Sequence, residues 1–277
     1  MMKKHLVFIC LLALPFLWMS FATPAPVRGA NITVTTNTDE PLSDPNNSQC
    51  SIREAIQNAN NDAATEPDCP AGAGADVILF GGGTITLTTG SSISLITEID
   101  IQGPIIFDGN NTTNIFVIAG SADVTLNQVE LQNGFNTAGG AILGTSPSTT
   151  LTINQGNIHD NEATGNGGAI SSDGILNINN TIFSDNIAGG NGGAIYQTSG
   201  FMTIDQSAFT GNIAGNVAGG NGGAIYHAGA LSEPSSITAT YFSDNRALNA
   251  DNFDGGGAIH HASGVLNIFA SAFSGNN

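Results

Sequence analysis

Ala188-Gly-Gly-Asn-Gly-Gly-Ala-Ile-Tyr196 returns, residue for residue, as Ala218–Tyr226. Its core, Gly-Gly-Ala-Ile, occurs five times, at Gly139–Ile142, Gly167–Ile170, Gly192–Ile195, Gly222–Ile225 and Gly256–Ile259. Between these blocks an apolar residue is followed three places later by Asn: Ile158/Asn161, Phe183/Asn186, Phe209/Asn212, Phe242/Asn245 and Phe273/Asn276. Self-similarity at a period of this size marks a solenoid.

Aligned on the Phe column, the repeats show what one unit must be. Val124, Leu151, Leu176, Met202 and Leu266 stand seven residues earlier; Leu126, Ile153, Ile178, Ile204, Ile237 and Ile268 stand five earlier. Thr181, Ser207, Thr240 and Ser271 stand two earlier. Leu-x-Ile has period two, a strand signal. Each repeat is therefore expected to hold about three short strands: Gly-Gly-Ala-Ile, Leu-x-Ile, and Phe with its neighbours. Clusters of Gly, Asn and Asp separate them, as turns require. The spacings of the Gly-Gly-Ala-Ile blocks are 28, 25, 30 and 34 residues. Such irregularity suits a coil with fixed core columns and outward-bulging loops. The fold class expected is all-β, a single-stranded right-handed parallel β-helix with an N-terminal cap holding one short α-helix. Like residues then stack on like at about 4.8 Å, and an Asn column satisfies itself as an amide ladder.

The chain has 277 residues, enough for one elongated domain. With 22 Asp and Glu against five Lys and Arg, its formal net charge is −17. Beyond residue 22 the only cationic side chains are Arg28, Arg53 and Arg246, setting His aside. That balance argues against nucleic acid or an anionic membrane as partner. Lys3 and Lys4 precede the apolar run Leu6–Phe21, and Ser20-Phe21-Ala22 offers small residues for a signal peptidase. Residues 1–30 read as signal peptide and leader, with cleavage near 22 or 29/30; an uncleaved anchor is the other reading, but Pro15 interrupts a run already short for a span.

Export leaves Cys50 and Cys69 as a pair, which implies a disulfide; two free thiols or a metal pair are the alternatives, and no His lies nearby. Closing that loop of about 20 residues is worth roughly 3 kcal/mol on the chain-entropy model. Ser51 followed three places on by Glu54 is a capping box. Ile52, Ala55, Ile56 and Ala59 make one apolar face, with Arg53, Gln57, Asn58 and Asn60 turned away, so a helix is expected over about 51–60. Residues 31–75 would form the cap over the open end of a β-helix spanning 76–277, with regular repeats from about 124. Arg53 reads as a surface ion-pair partner. Before residue 124, strands are expected at Val77–Phe80, Thr84–Thr88, Ile99–Ile101, Ile105–Asp108 and Ile115–Ile118.

Cys50-Ser51-Ile52-Arg53-Glu54-Ala55-Ile56 resembles the Cys-Ser-Leu-Arg-Glu-Ala motif of a family of exported bacterial proteins, with Ile52 in place of Leu. The Gly-Gly-Ala-Ile and Phe-x-x-Asn repeats are similar to those of chlamydial polymorphic membrane proteins, which are surface autotransporter adhesins. The first resemblance implies a right-handed parallel β-helix of the pectin-lyase-like type; both imply an exported protein. Together they cover nearly all of residues 31–277.

Pectate-lyase-like enzymes of that fold use acidic calcium ligands and an Arg or Lys base. Here the base would have to be Arg246, in a variable position just past a turn. Hydrolases of the fold pair carboxylates on adjacent coils, with His and Arg or Lys nearby, and no such motif is legible. Asp160, Asp185 and Asp244 form a column that could take calcium, though Asp is also a common turn residue. Tyr196, Tyr226 and His260 follow their Ile and would stack along an outer face, as a glycan-facing ladder or simply as a brace between coils. In the next column, His227 and His261 make a thin metal signal. The expected function is a non-enzymatic exported protein, secreted or at the cell surface, with a structural and adhesive role. A polysaccharide lyase or hydrolase is the runner-up, and a calcium- or glycan-binding module the third reading. No cofactor is required beyond that calcium option. The partner is a glycan or cell surface, and any membrane attachment comes through the signal or an anchor elsewhere. Because Ser274–Asn277 closes a repeat block without a capping segment, further coils, or self-association of the last coil, are expected.

Overall fold

The computed structural model describes residues 29–42, 47–216, 219–230, 233–248 and 255–277. The expected signal peptide, with Cys10, lies outside the described residues. The described chain forms a parallel β-solenoid of about six turns. Its strands form three sheets of 15, seven and five, with every strand pair parallel; the seven-stranded sheet begins at Ile93 and the five-stranded one at Phe135.

The columns seen in the sequence are the rungs. Val124, Leu151, Leu176 and Met202 pair in register, as do Leu126, Ile153, Ile178, Ile204, Ile237 and Ile268. Phe183, Phe209, Phe242 and Phe273 pair likewise, their rings stacked at 4.7, 5.0 and 4.9 Å. Except at the last coil these side chains are buried, each Phe removing about 1.5–3 kcal/mol worth of apolar surface from water. The register extends upstream of Val124: Ile78 pairs with Ile101 and that with Leu126, while Ile85 pairs with Phe107 and that with Leu131.

Leu-x-Ile and Phe form separate short strands in the regular coils, as in Thr150–Asn154 and Asn157–His159, and both belong to one sheet, because the ten-residue strand Asp123–Gln132 pairs with each. Other local expectations need correction. Gly-Gly-Ala-Ile is a turn into a strand that begins at Ile, as in Ile195–Gln197. Gly192 has φ +66°, and a side chain on Gly193 would collide with the Gly223 carbonyl one rung on, so neither tolerates a Cβ. The third sheet comes instead from dipeptides after the Asn, such as Glu162–Ala163 and Ile187–Ala188. Among the early strands, Ile99–Ile101 and Ile105–Asp108 are parts of one strand, Ile99–Asp108. Thr84–Thr86 is shorter than expected, and Ile93–Leu95 was not anticipated.

The Asn column is an amide ladder. The Asn161, Asn186, Asn212 and Asn245 side chains each donate to the next Asn Oδ1, at 3.0, 2.9, 2.9 and 2.8 Å, and also to a backbone carbonyl. The hydroxylic column is a second ladder: the backbone N–H groups of Thr181, Ser207 and Thr240 donate to the hydroxyls of Ser207, Thr240 and Ser271. These are ways of satisfying buried backbone at bends.

The helix, Ile52–Asn61, is capped by Ser51, whose N–H donates to Glu54 Oε2 at 2.8 Å. It lies against the strands Asn31–Thr33, Asp76–Leu79 and Ile93–Leu95, with Ile52 0% and Ile56 3% exposed. Cys50 and Cys69 are bridged, their Cα atoms 4.8 Å apart. Asn58 does not face away. It is buried, its Nδ2 donating to the carbonyls of Glu66, Cys69 and Pro70, so it clips the disulfide loop to the helix.

Candidate functional site

In the cap motif, Ser51, Ile52, Glu54, Ala55 and Ile56 are all buried. Arg53 is not a surface group: its side chain is 9% exposed and bonds Asp39, with Nε to Oδ1 at 2.6 Å. Its Nη atoms donate to the carbonyls of Ser91 and Ser92. Asp39 also accepts from the Thr88 and Thr89 N–H groups. Burial opposes its charge, but Arg53 and these amides hold its carboxyl below the usual range. The pair ties helix to first coil, with four of the five guanidinium N–H groups engaged.

The outer face of the seven-stranded sheet carries one column in register: Val117, Leu143, Ser171, Tyr196, Tyr226 and His260. Tyr196 stacks on Tyr226 with centroids 5.0 Å apart, and Tyr226 on His260 at 5.1 Å. Alternation along the strand turns the next residue inwards. Ser172, Gln197 and His227 are buried, so this column is core and not surface. Gln197 Nε2 donates to the carbonyls of Gly174 and Phe201, while its Oε1 has no partner. His227 Nε2 lies 2.8 Å from Ser235 Oγ and its Nδ1 2.9 Å from His261 Nδ1. Since Ser235 Oγ accepts from the Met202 N–H, its own hydrogen is free for His227 Nε2; the neutral tautomer then donates from Nδ1 to His261. Burial, then the neighbouring His261, pushes His227 down to about 4. The two Nδ1 atoms satisfy each other, and among the described residues no carboxylate or thiolate joins them as a metal site.

Asp160, Asp185 and Asp244 are exposed, with φ of 54°, 54° and 55°. They occupy left-handed turn positions, where Asp is favoured. Among the described residues, no three His, Cys, Asp or Glu side chains converge as a metal site. Arg246 is exposed.

One cluster was not legible in the sequence. His159 Nδ1 lies 2.7 Å from Asp160 and Nε2 3.2 Å from Glu130 on the preceding coil. Burial works against its charge, but the two carboxylates raise its pKa. Neighbours across rungs are 27 residues apart here, and Glu130 meets His159 on the diagonal, a relation that appears only once the register is known.

Residues 180–198 match the Chlamydia polymorphic membrane protein repeat. The matched stretch runs through Phe183, Asn186, Gly192–Ile195 and Tyr196, one coil from the inner Phe to the outer Tyr. No curated protein and no solved structure matches the chain. Among the described residues no helix is long and apolar enough to cross a membrane.

Proposed function

We propose that this chain is an exported β-helical protein, displayed at a cell surface or secreted, with a structural and adhesive role and no catalytic one. The observation that carries it is the polymorphic membrane protein repeat at residues 180–198, lying on one rung of the solenoid. The cap motif is spent on holding the first coil, and Arg246 stands alone on the surface, which supports a scaffold more than an active site. The reading needs no cofactor, and Asp160, Asp185 and Asp244 serve in it as turn residues. The test is expression of the full chain with its leader in a bacterial host, followed by external protease treatment and by adhesion of protein-coated beads to epithelial cells. Surface accessibility and bead adhesion are expected. Retention in the cytoplasm overturns export, and beads no stickier than an albumin control overturn adhesion.

A second reading, a polysaccharide-acting enzyme, is favoured by the His159 cluster alone, since an imidazole between Glu130 and Asp160 is a competent proton carrier. Turnover of acidic or neutral polysaccharides that His159→Gln or Arg246→Ala abolishes would establish that reading and displace the first.

A further inference from the structure

The outer column of the seven-stranded sheet has a missing rung. Tyr196, Tyr226 and His260 occupy successive coils with rings about one coil spacing apart, at 5.0 and 5.1 Å. On the next coil back, the position belongs to Ser171, and on the one before that to Leu143. A hydroxymethyl group therefore stands where the ladder would place a ring. Two coils at about 4.8 Å each set Leu143 and Tyr196 roughly 9.6 Å apart, room for one ring at stacking distance from both. The face of Tyr196 turned from Tyr226 looks into this notch. Two residues on from Ser171, in the bend just past the strand Ile170–Ser172, is Asp173. One of its carboxylate oxygens accepts from Thr198 Oγ1; the other has no partner among the described residues. The Tyr196 phenol is half-buried and raised in pKa by burial, then by Tyr226 and by Asp173, which places that carboxylate's field on the Tyr196 ring.

We propose that the Ser171 notch binds one uncharged pyranose ring, stacked on the open face of Tyr196 with its hydroxyls donating to Asp173. The C–H face of a sugar is the partner an aromatic face prefers, and an ionised carboxylate is a strong acceptor for paired hydroxyls. A negatively charged sugar is disfavoured, because the notch offers Asp173 and no cation in a chain of net charge −17. Internal ladder members are not sites, since each has its ring faces covered by neighbours. The inference rests on the adhesive reading and gives it a ligand class and a place.

The test uses the full chain and four probes: cellotetraose, chitotetraose, polygalacturonate and phosphocholine. Saturation-transfer NMR is expected to show one face of a pyranose in a neutral tetrasaccharide saturated by the protein, with the two charged probes silent. Ser171→Phe inserts the missing ring as the protein's own rung and should cut affinity at least tenfold without lowering the unfolding temperature. Asp173→Asn should weaken binding several-fold, and Tyr196→Ala should abolish the face-selective signal. Absence of binding by either neutral tetrasaccharide overturns the inference, as does binding that Ser171→Phe leaves unchanged. A response to phosphocholine alone overturns it in favour of a cation over the Tyr face. If beads fail to adhere while a neutral tetrasaccharide binds, the adhesive reading falls and the site stands. If beads adhere with Ser171 replaced by Phe, adhesion stands on another surface and the site falls as its ligand-bearing part.

Discussion

Replacing Asn212 by Ala removes one member from the middle of the amide ladder. Its Oδ1 accepts from the Asn186 N–H at 3.1 Å and from Asn186 Nδ2 at 2.9 Å. Its Nδ2 donates to the Phe183 carbonyl at 3.0 Å and to Asn245 Oδ1 at 2.9 Å. All four bonds vanish, but the losses are unequal. Asn186 Nδ2 keeps the Ile158 carbonyl, and Asn245 Oδ1 keeps the backbone N–H of residue 212. The Asn186 N–H loses its partner in a place water does not reach, since Asn186 and Asn212 are both 0% exposed, while the Phe183 carbonyl keeps its bond from the neighbouring strand. At about 1–3 kcal/mol for the orphaned N–H and about 0.5–1.5 kcal/mol for each of the other bonds lost, the cost is about 4 kcal/mol. Asn276→Ala removes the same chemistry where Asn276 is partly exposed, so that water can replace Oδ1 for the Asn245 N–H; about 1 kcal/mol is expected. Urea unfolding followed by far-ultraviolet circular dichroism measures both. With a slope of about 3 kcal/mol/M, Asn212→Ala should lower the midpoint by more than 1 M and Asn276→Ala by a few tenths. Equal shifts for the two variants would refute the argument that burial, and not the hydrogen-bond count, sets the cost.

Replacing both cysteines by Ser should destabilise the cap by about 3 kcal/mol, because the bridge closes a loop with a sequence separation of 19. Hydrogen exchange should show this as lost protection over residues 52–61; unchanged protection there means the loop is held by Asn58 alone. Ile56→Asp puts an unpaired carboxylate where Ile56 is 3% exposed, and should cost more than 3 kcal/mol or leave the cap unfolded at neutral pH. A circular-dichroism melt within a few degrees of the parent would contradict the packing of this helix on the first coil. For His227 the folded pKa is about 4 against about 6.5 in an unfolded chain. The imidazole is therefore neutral in the fold, and its contribution is present above pH 6.5 and lost as pH falls towards 4, up to about 3 kcal/mol. Unfolding temperatures from pH 7 to pH 4 should fall less steeply for His227→Gln than for the parent, and identical slopes would exclude His227 as a source of acid sensitivity.

Much of the fold was legible because a solenoid writes each contact as a column. Residues at the same place in successive repeats are neighbours, so Leu-x-Ile, Phe and Asn announced their stacking without any knowledge of the structure. What the columns do not carry is direction. The repeats suggested that Gly-Gly is part of a strand, whereas it is a turn, and the answer depends on φ values such as +66° at Gly192 and on the Gly223 carbonyl pressing from the next rung. The same limit hid the outer amide ladder, in which Asn154 donates to Asn127 and Asn179 to Asn154. Those residues look like ordinary turn punctuation until the strand Thr150–Asn154 is known to reach them.

The candidate site shows the limit at its sharpest. Tyr226 and His227 are adjacent in sequence, each one of a stacked aromatic pair, and their columns look alike on paper. A single residue's shift along the strand sends Tyr226 to solvent and His227 into the core. Once that parity is fixed, the two pairs have opposite meanings. The buried imidazole of His227 is engaged at both nitrogens, by His261 and by Ser235. The outer rings are open at one end, and it is the small residue in their column, Ser171, that makes the opening. A reading that searched for functional side chains would pass over Ser171, because its role in the notch is the space it leaves. The same reasoning applies to Arg53, which read as a surface ion-pair partner and is held instead by Asp39 and two carbonyls. In a solenoid of this kind chemistry is to be sought where a column is interrupted, since an uninterrupted column has already spent its valences on itself.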